Sequence, residues 1–82
     1  MAKFLPHFRL AEKIGGHEFD WAAATVRELL DRGEQEHGSI FWEELKTADI
    51  TVNGRSITYL SGLDTPVSEQ DTVCTILTSD EI

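Results

Sequence analysis

The sequence contains a single cysteine, Cys74, among its 82 residues. One thiol forms no internal disulfide and no thiolate cluster for a metal ion, and this scarcity is typical of a reducing compartment. Long apolar runs are also missing: no stretch approaches the roughly 20 residues that a membrane-spanning helix needs. The first residues lack the apolar core of a secretory signal. We therefore expect a cytoplasmic protein.

Positive charge is also scarce. Seven lysines and arginines stand against 15 aspartates and glutamates, which gives a net charge of −8, and neither lysine nor arginine follows Arg55. Because phosphate groups attract cations, this balance argues against nucleic acid and anionic membranes as partners. A basic surface on another protein is the partner that this charge favours.

The usual patterns of an active site are missing too. There is no glycine-rich phosphate loop and no nucleophile paired with a base. His7, His17 and His37 are isolated from one another in the sequence, so partly exposed histidines are expected rather than metal ligands. Eighty-two residues make one small domain whose core is too thin for a deep enclosed site. We expect no enzyme, no cofactor and no metal.

The strongest local pattern is an amphipathic helix over residues 25–38. Thr25 and Glu28 have the spacing of a capping box, and Gly38 is a suitable end for the helix. Its apolar stripe is Val26, Leu29 and Leu30. Gly33 should weaken the middle of the helix by about 1 kcal/mol relative to alanine. Such a helix needs a flat apolar surface to cover its stripe.

Alternating apolar and polar residues predict five strands around this helix. Asn53-Gly54 is a strong signal for a two-residue hairpin turn. A short helical turn is expected at 10–14. A short helical or irregular stretch is expected around Phe41 and Trp42, which we interpret as core beneath the main helix. The predicted strands cover residues 2–8, 17–21, 49–52, 56–60 and 72–77.

The order of these elements is strand, strand, helix, strand, strand, strand. Since the long helix crosses over between strands, the first and last strands can pair in parallel at the centre of one mixed sheet. This predicts the α+β class and the β-grasp, ubiquitin-like arrangement, with a sheet of four to five strands and one main helix on one face. We expect a single domain at residues 1–77 and a short flexible acidic tail at 78–82.

Five segments share their order and spacing with a known family: KFL at 3–5, RLAE at 9–12, TVRELL at 25–30, ITVNG at 50–54 and DTPV at 64–67, the last followed by Asp71 and Val73. Through them the chain resembles the MoaD/ThiS group of ubiquitin-related sulfur carriers, and within it most of all the small subunit of molybdopterin synthase. The resemblance implies docking on a larger partner, either the large subunit of that synthase or an E1-like activating enzyme.

One departure from that family concerns its sulfur chemistry. The resemblance implies a C-terminal Gly-Gly tail, whose terminal carboxylate is adenylated by the activating enzyme and converted to a thiocarboxylate. Only glycine lets a backbone lie so close to the walls of a narrow channel. Counted on from Val73, these positions hold Glu81 and Ile82, and no glycine follows Gly62. We therefore expect that the chain transfers no sulfur.

Alternation along the strands predicts which side chains face away from the helix. The expected inward set is Phe4, Phe8, Ile57, Tyr59, Val73 and Leu77, and the outward set includes Ser56 and Thr58. The residues expected to bind a partner are Leu5, His7, Cys74 and Ile76 on the outward face, and Thr78, Asp80, Glu81 and Ile82 in the tail. We interpret Cys74 as a small strand residue rather than a sulfur-bearing thiol.

Three functions remain open on this reading. The first is a non-catalytic accessory or regulatory subunit that docks on a larger protein without sulfur transfer. The second is a divergent sulfur carrier in molybdopterin, tungstopterin or thiamine-type biosynthesis. The third is a small-molecule or metal binder, which the lack of clustered ligands disfavours. We favour the first because the scaffold matches the family while its end does not.

Overall fold

The computed structural model describes residues 1–77. In chain order the elements are β1 (Ala2–Leu5), α1 (Phe8–Ile14), β2 (Phe19–Trp21), α2 (Val26–His37), α3 (Ile40–Leu45), β3 (Ala48–Val52), β4 (Arg55–Ser56) and β5 (Thr72–Leu77). Two 3₁₀ turns, Ile57–Tyr59 and Gly62–Asp64, lie between β4 and β5.

The strands form one mixed sheet in the order β2-β1-β5-β3-β4. The first and last strands pair in parallel at its centre, with Phe4 opposite Val73 and Leu5 opposite Cys74. The other neighbouring pairs are antiparallel. This is the predicted β-grasp arrangement, which is confirmed, with five strands and with two shorter helices beside α2.

Helix α2 begins as its capping pattern predicts. The Thr25 hydroxyl accepts a hydrogen bond from the Glu28 amide at 3.2 Å, and the Glu28 carboxylate accepts from the Ala24 amide at 2.8 Å. The carboxylate thus reaches one residue further back than in a standard capping box. The helix ends at His37 and is followed by Gly38, whose φ of 86° suits glycine.

The core lies between α2 and the inner face of the sheet. Phe4 stacks on Trp21 with ring centroids 5.3 Å apart, and it packs against Phe41 of α3 at 5.6 Å. Burying a side chain of this size stabilises the fold by about 2–3 kcal/mol. The large side chains that are fully buried are Phe4, Phe41, Leu10, Leu29, Leu30, Val26 and Val73.

Both tryptophan side chains form hydrogen bonds with carboxylates of α2. The Trp21 indole N–H donates to Glu36 at 3.1 Å, and the Trp42 indole N–H donates to Glu34 at 3.0 Å. Trp42 is only half-buried, whereas Phe41 is fully buried. These bonds satisfy polar groups that would cost free energy if they were buried alone. They join β2 and α3 to the same helix.

The hairpin between β3 and β4 turns at Asn53 and Gly54, which both adopt positive φ, as predicted. The Asn53 side chain also connects this turn to the start of β5. It donates to the Asp71 carboxylate at 2.9 Å and accepts from the Thr72 amide at 2.9 Å. The first of these bonds, with a further bond from the Ser68 amide, holds the pKa of Asp71 below its ordinary value.

The predicted strand at residues 2–8 is too long. The chain leaves the sheet after Leu5 because Pro6 has no amide proton to donate to the ladder, and the His7 amide bonds to the Thr75 hydroxyl instead. Phe8 begins α1 and is 65% exposed, so its predicted inward position is wrong. The second strand is likewise shorter than predicted, at Phe19–Trp21.

The predicted strand at residues 56–60 is also wrong beyond its first residue. The Ser56 hydroxyl accepts a hydrogen bond from the Thr58 amide at 3.2 Å, and this local bond turns the backbone into a 3₁₀ turn. Tyr59 is therefore 82% exposed and does not point inward. Within residues 1–77, no helix is long and apolar enough to cross a membrane.

Gly33 has a packing role that outweighs its low helix propensity. A Cβ atom at this position would lie 2.3 Å from Cζ of Phe41, which is closer than atoms can approach. The glycine therefore lets α3 place its phenylalanine directly against the backbone of α2. The helix accepts a residue that weakens it so that the two helices can pack.

We predict that Gly33→Ala destabilises the protein although alanine favours helix. Overpacking costs about 1–3 kcal/mol and the helix gains about 1 kcal/mol, so the expected net loss is on the order of 1 kcal/mol. Urea unfolding followed by tryptophan fluorescence measures it. Gln35→Ala, at an exposed position of the same helix, should change the free energy by less than about 0.5 kcal/mol.

The cost of Gly33→Ala should shrink when Phe41 is replaced by the smaller leucine, because the two changes share one contact. An undiminished cost in the Phe41→Leu background would show that the loss does not come from this ring.

Candidate functional site

The open face is the side of the sheet opposite α2, and its centre is an apolar patch. We define this patch as Leu5, Cys74 and Ile76. Leu5 lies opposite Cys74 in the register of β1 and β5. Burial alternates along β5: Val73 and Thr75 are buried, while Cys74 is half-buried and Ile76 is 54% exposed. The placement of these three side chains agrees with strand parity, and their role in binding stays a prediction.

Charged side chains border the patch on both sides. On the β2 side, the Lys3 ammonium group forms an ion pair with Glu18 at 2.8 Å, and this hydrogen-bonded carboxylate raises the pKa of Lys3. On the other side, Asp49 of β3 lies opposite Ile76 and accepts from the Ser56 hydroxyl at 2.9 Å. The patch is therefore apolar at its centre and polar at its rim, which is the usual anatomy of a protein interface.

Lys3 and Asp49 are site residues that the sequence reasoning missed. Lys3 shares a face with Leu5 two residues later, so strand alternation alone could have found it. Asp49 required the register of two antiparallel strands, because its neighbour Ile76 comes far later in the chain. Nothing in the local sequence signals that pairing.

The prediction that His7 lies on the open face is wrong. His7 is 8% exposed and lies at the start of α1. Its Nδ1 is 2.7 Å from the Thr75 hydroxyl, and burial lowers the pKa of its imidazole. Since Pro6 ends β1, strand parity does not continue beyond Leu5.

The remaining predicted binding residues are Thr78, Asp80, Glu81 and Ile82, which lie outside the described residues.

Cys74 fits the description of a small strand residue. It is a free, half-buried cysteine in the central strand, and its carbonyl oxygen is 3.4 Å from the Thr51 hydroxyl that donates to it. In the described part of the chain, no group of three His, Cys, Asp or Glu side chains is arranged to hold a metal ion.

Two surface clefts lie elsewhere and include none of the patch residues. One, of about 350 Å³, is lined by Ala22, Glu28, Asp31, Arg32 and Gln35. The other, of about 370 Å³, is lined by Val52, Asn53, Arg55, Leu60, Pro66 and Asp71. Small-molecule sites are mostly apolar with few polar groups, whereas charged and amide side chains make up much of both linings.

We predict that Ile76→Thr changes the free energy of unfolding by less than about 1 kcal/mol, because Ile76 is already 54% exposed. Val73→Thr on the opposite face of β5 should cost about 2 kcal/mol, since it buries a hydroxyl without a partner. Both substitutions keep a β-branched side chain, so strand propensity is matched. Equal costs in urea unfolding would mean that Ile76 is covered.

The chain is similar to known proteins in both sequence and fold. The ThiS family model matches residues 9–76 of the chain, while no curated protein matches the chain. Among solved structures, a chain of the BexX/CysO complex of Amycolatopsis orientalis superposes with a TM-score of 0.83 at 22% identity, covering 94% of each chain.

The small archaeal modifier protein SAMP1 of Methanosarcina acetivorans has a TM-score of 0.85 at 18% identity, covering 96% of this chain and 93% of that one. CysO of Mycobacterium tuberculosis, described as an antigen, has a TM-score of 0.83 at 18% identity, covering 94% and 98%. At such identities these structures establish the fold alone. The family model covers most of the sequence, and on that match the chain belongs to the ThiS family.

Proposed function

We propose that this ThiS-family chain is a non-catalytic accessory or regulatory subunit that docks on a larger protein through the open face, without sulfur transfer. The observation that carries the proposal is Ile76, an isoleucine 54% exposed in the central strand. It extends a patch formed by Leu5 and Cys74. A large aliphatic side chain gains free energy when a partner covers it.

The size of the patch and the charged groups around it indicate what kind of partner surface would bind. Three apolar side chains make a small contact, which suits a modest or transient interface better than an obligate one. The net charge of −8 and the carboxylates near the patch favour a partner with basic groups around an apolar depression. In the Amycolatopsis orientalis structure, CysO forms a complex with BexX, and this supports a protein partner here too.

The pair Glu81 and Ile82 supports the proposed absence of sulfur transfer. These two residues stand where the glycines of the resembling carriers fall when counted from Val73. A glutamate and a β-branched side chain would need a wider channel than one that fits a glycine backbone. Proteins of this family are small carriers or modifiers rather than catalysts, and a docking role without chemistry uses the scaffold that they share.

A divergent sulfur carrier is the second candidate, and membership of the ThiS family favours it. In that role the chain would serve molybdenum- or tungsten-cofactor biosynthesis or a thiamine-type pathway. Its partners would be an E1-like activating enzyme and, for the cofactor pathways, a molybdopterin synthase large subunit. Either role fits the cytoplasm, where a lone half-buried thiol such as Cys74 stays reduced.

We predict that Ile76→Thr weakens binding of the partner by about tenfold, or about 1.4 kcal/mol, because it removes buried apolar surface. The partner is first identified with a photocrosslinking amino acid at position 76 in native extract, then purified, and the affinity is measured by calorimetry. Gln35→Ala on the outer face of α2 is the matched control and should bind like the parent protein. Parental affinity of the Ile76→Thr variant would contradict docking through the open face.

A version of the chain that ends at Leu77 separates the face from the tail. Retained affinity places the contact on the open face. If the truncated chain loses affinity while the Ile76→Thr variant keeps it, the contact is assigned to residues 78–82.

We predict no thiocarboxylate when the full chain is incubated with a ThiS-type activating enzyme, ATP and a sulfur donor. Intact mass spectrometry measures this, since exchange of one oxygen for sulfur adds about 16 Da. A control carrier with a Gly-Gly end must show the shift in the same reaction. The same shift in this chain would favour the sulfur-carrier candidate instead.

A further inference from the structure

Two hydrogen bonds connect His7 to one hydroxyl group of β5. The His7 backbone amide donates to Oγ1 of Thr75 at 2.9 Å, and the ring nitrogen Nδ1 lies 2.7 Å from the same oxygen. Both bonds are buried, and they join the first residue before α1 to the central strand. Within residues 1–77 the other ring nitrogen, Nε2, is buried without a hydrogen-bond partner.

These bonds favour one tautomer of the ring. Thr75 Oγ1 accepts the amide proton and has one proton of its own to donate. Within residues 1–77, Nδ1 of His7 lies within hydrogen-bond distance of that hydroxyl. If Nδ1 accepts the hydroxyl proton, only the Nε2–H lacks a partner, whereas a proton on Nδ1 would leave both the hydroxyl proton and Nε2 without one. Hydrogen bonding therefore favours a neutral ring that carries its proton on Nε2.

Protonation of the ring reverses the direction of this bond. The imidazolium has a proton on Nδ1 that faces the hydroxyl, so the hydroxyl loses the acceptor for its own proton. A positive charge is also buried, which is costly without a bonded carboxylate. Burial accordingly lowers the pKa of His7 from its ordinary 6.5.

Two charged groups act on the ring from the packed helices. Glu44 of α3 raises the pKa of His7, and Arg9 of α1 lowers it. The Glu44 carboxylate lies 3.6 Å from the Lys13 ammonium group and is 14% exposed. The contact from β5 is the uncharged Thr75.

The contact between His7 and Thr75 connects the start of α1 to β5, so protonation of His7 would affect the start of this helix. The first bond of α1 runs from the Ala11 amide to the His7 carbonyl at 2.8 Å, so α1 starts on the residue held by β5. On the strand side, Thr75 stands between Cys74 and Ile76 of the apolar patch. The ring of His7 thus lies behind the open face, on the core side of β5.

We propose that His7 is a pH-sensitive switch, which holds the start of α1 against β5 when its ring is neutral and releases it when its ring is protonated. The switch is a property of this fold and goes beyond docking. Any effect on docking rests on the proposed function, so the test below uses the full chain without a partner.

The test combines ring NMR with amide hydrogen exchange between pH 8 and pH 4. The ring shifts of His7 should report the Nε2–H tautomer at pH 8 and a titration below 6.5. The pKa of His7 is lower when α1 is held against β5 than when α1 is released. At a pH between these two pKa values, the released form binds a proton that the held form lacks. Protection of the Ala11 amide, corrected for intrinsic exchange, should fall by up to about tenfold for each pH unit there.

His7→Asn is the variant that should remove this pH dependence, because its amide oxygen can accept from Thr75 and does not titrate. His17→Asn, at an exposed position, is the matched control and should keep it. If His7→Asn fails to fold, two variants of the charged residues near the ring still test the switch. Glu44→Gln should move the transition to lower pH, and Arg9→Gln should move it to higher pH, since these charges act on the ring in opposite directions.

Three results would overturn the proposal: an Nδ1–H tautomer, Ala11 protection that does not change with pH, or a pH dependence that persists in His7→Asn. None of them bears on docking, which the partner affinity of Ile76→Thr tests separately.

Discussion

The parallel pairing of β1 with β5 is the contact on which the rest of the structure depends. It joins the two ends of the described chain, so every other element must fit on one side or the other of this pair. Parallel neighbours need a crossover connection, and α2 provides it by packing its apolar stripe on the sheet. The buried pair Phe4 and Val73, opposite one another in the two strands, anchors that packing.

The same pairing creates the two faces of the sheet. Side chains that alternate inward meet α2 and α3, whereas those that alternate outward lie on the side of the sheet opposite α2. Close packing on the inner side is achieved by Gly33, which lets the Phe41 ring touch the backbone of α2. On the outer side the pairing sets Leu5 beside Cys74 and leaves Ile76 exposed. The helix layer therefore stabilises the fold, whereas Ile76 on the other face keeps much of its apolar surface in water.

Sequence reasoning succeeded where a pattern was local and failed where a single side chain redirected the backbone. The Thr25–Glu28 cap, the Asn53-Gly54 turn and the last strand follow from nearby residues and were predicted correctly. The ends of the first and fourth strands were not, because Pro6 lacks an amide proton and the Ser56 hydroxyl bonds to the Thr58 amide. Of the outward residues, Leu5, Cys74 and Ile76 followed from alternation, but His7 did not, because alternation stops at Pro6.

By itself the sequence determined the element order, the main helix, the β-grasp topology and the acidic character of the surface. These depend on periodicity, capping, turn chemistry and charge, which act over a few residues or over the whole composition. Only the tertiary structure decided that His7 is buried against Thr75, that Asp49 lies beside Ile76, and that Gly33 is required by Phe41. Each of these contacts joins residues that are distant in the sequence or brought together by a turn, and such contacts exist only once strand register and helix packing are set.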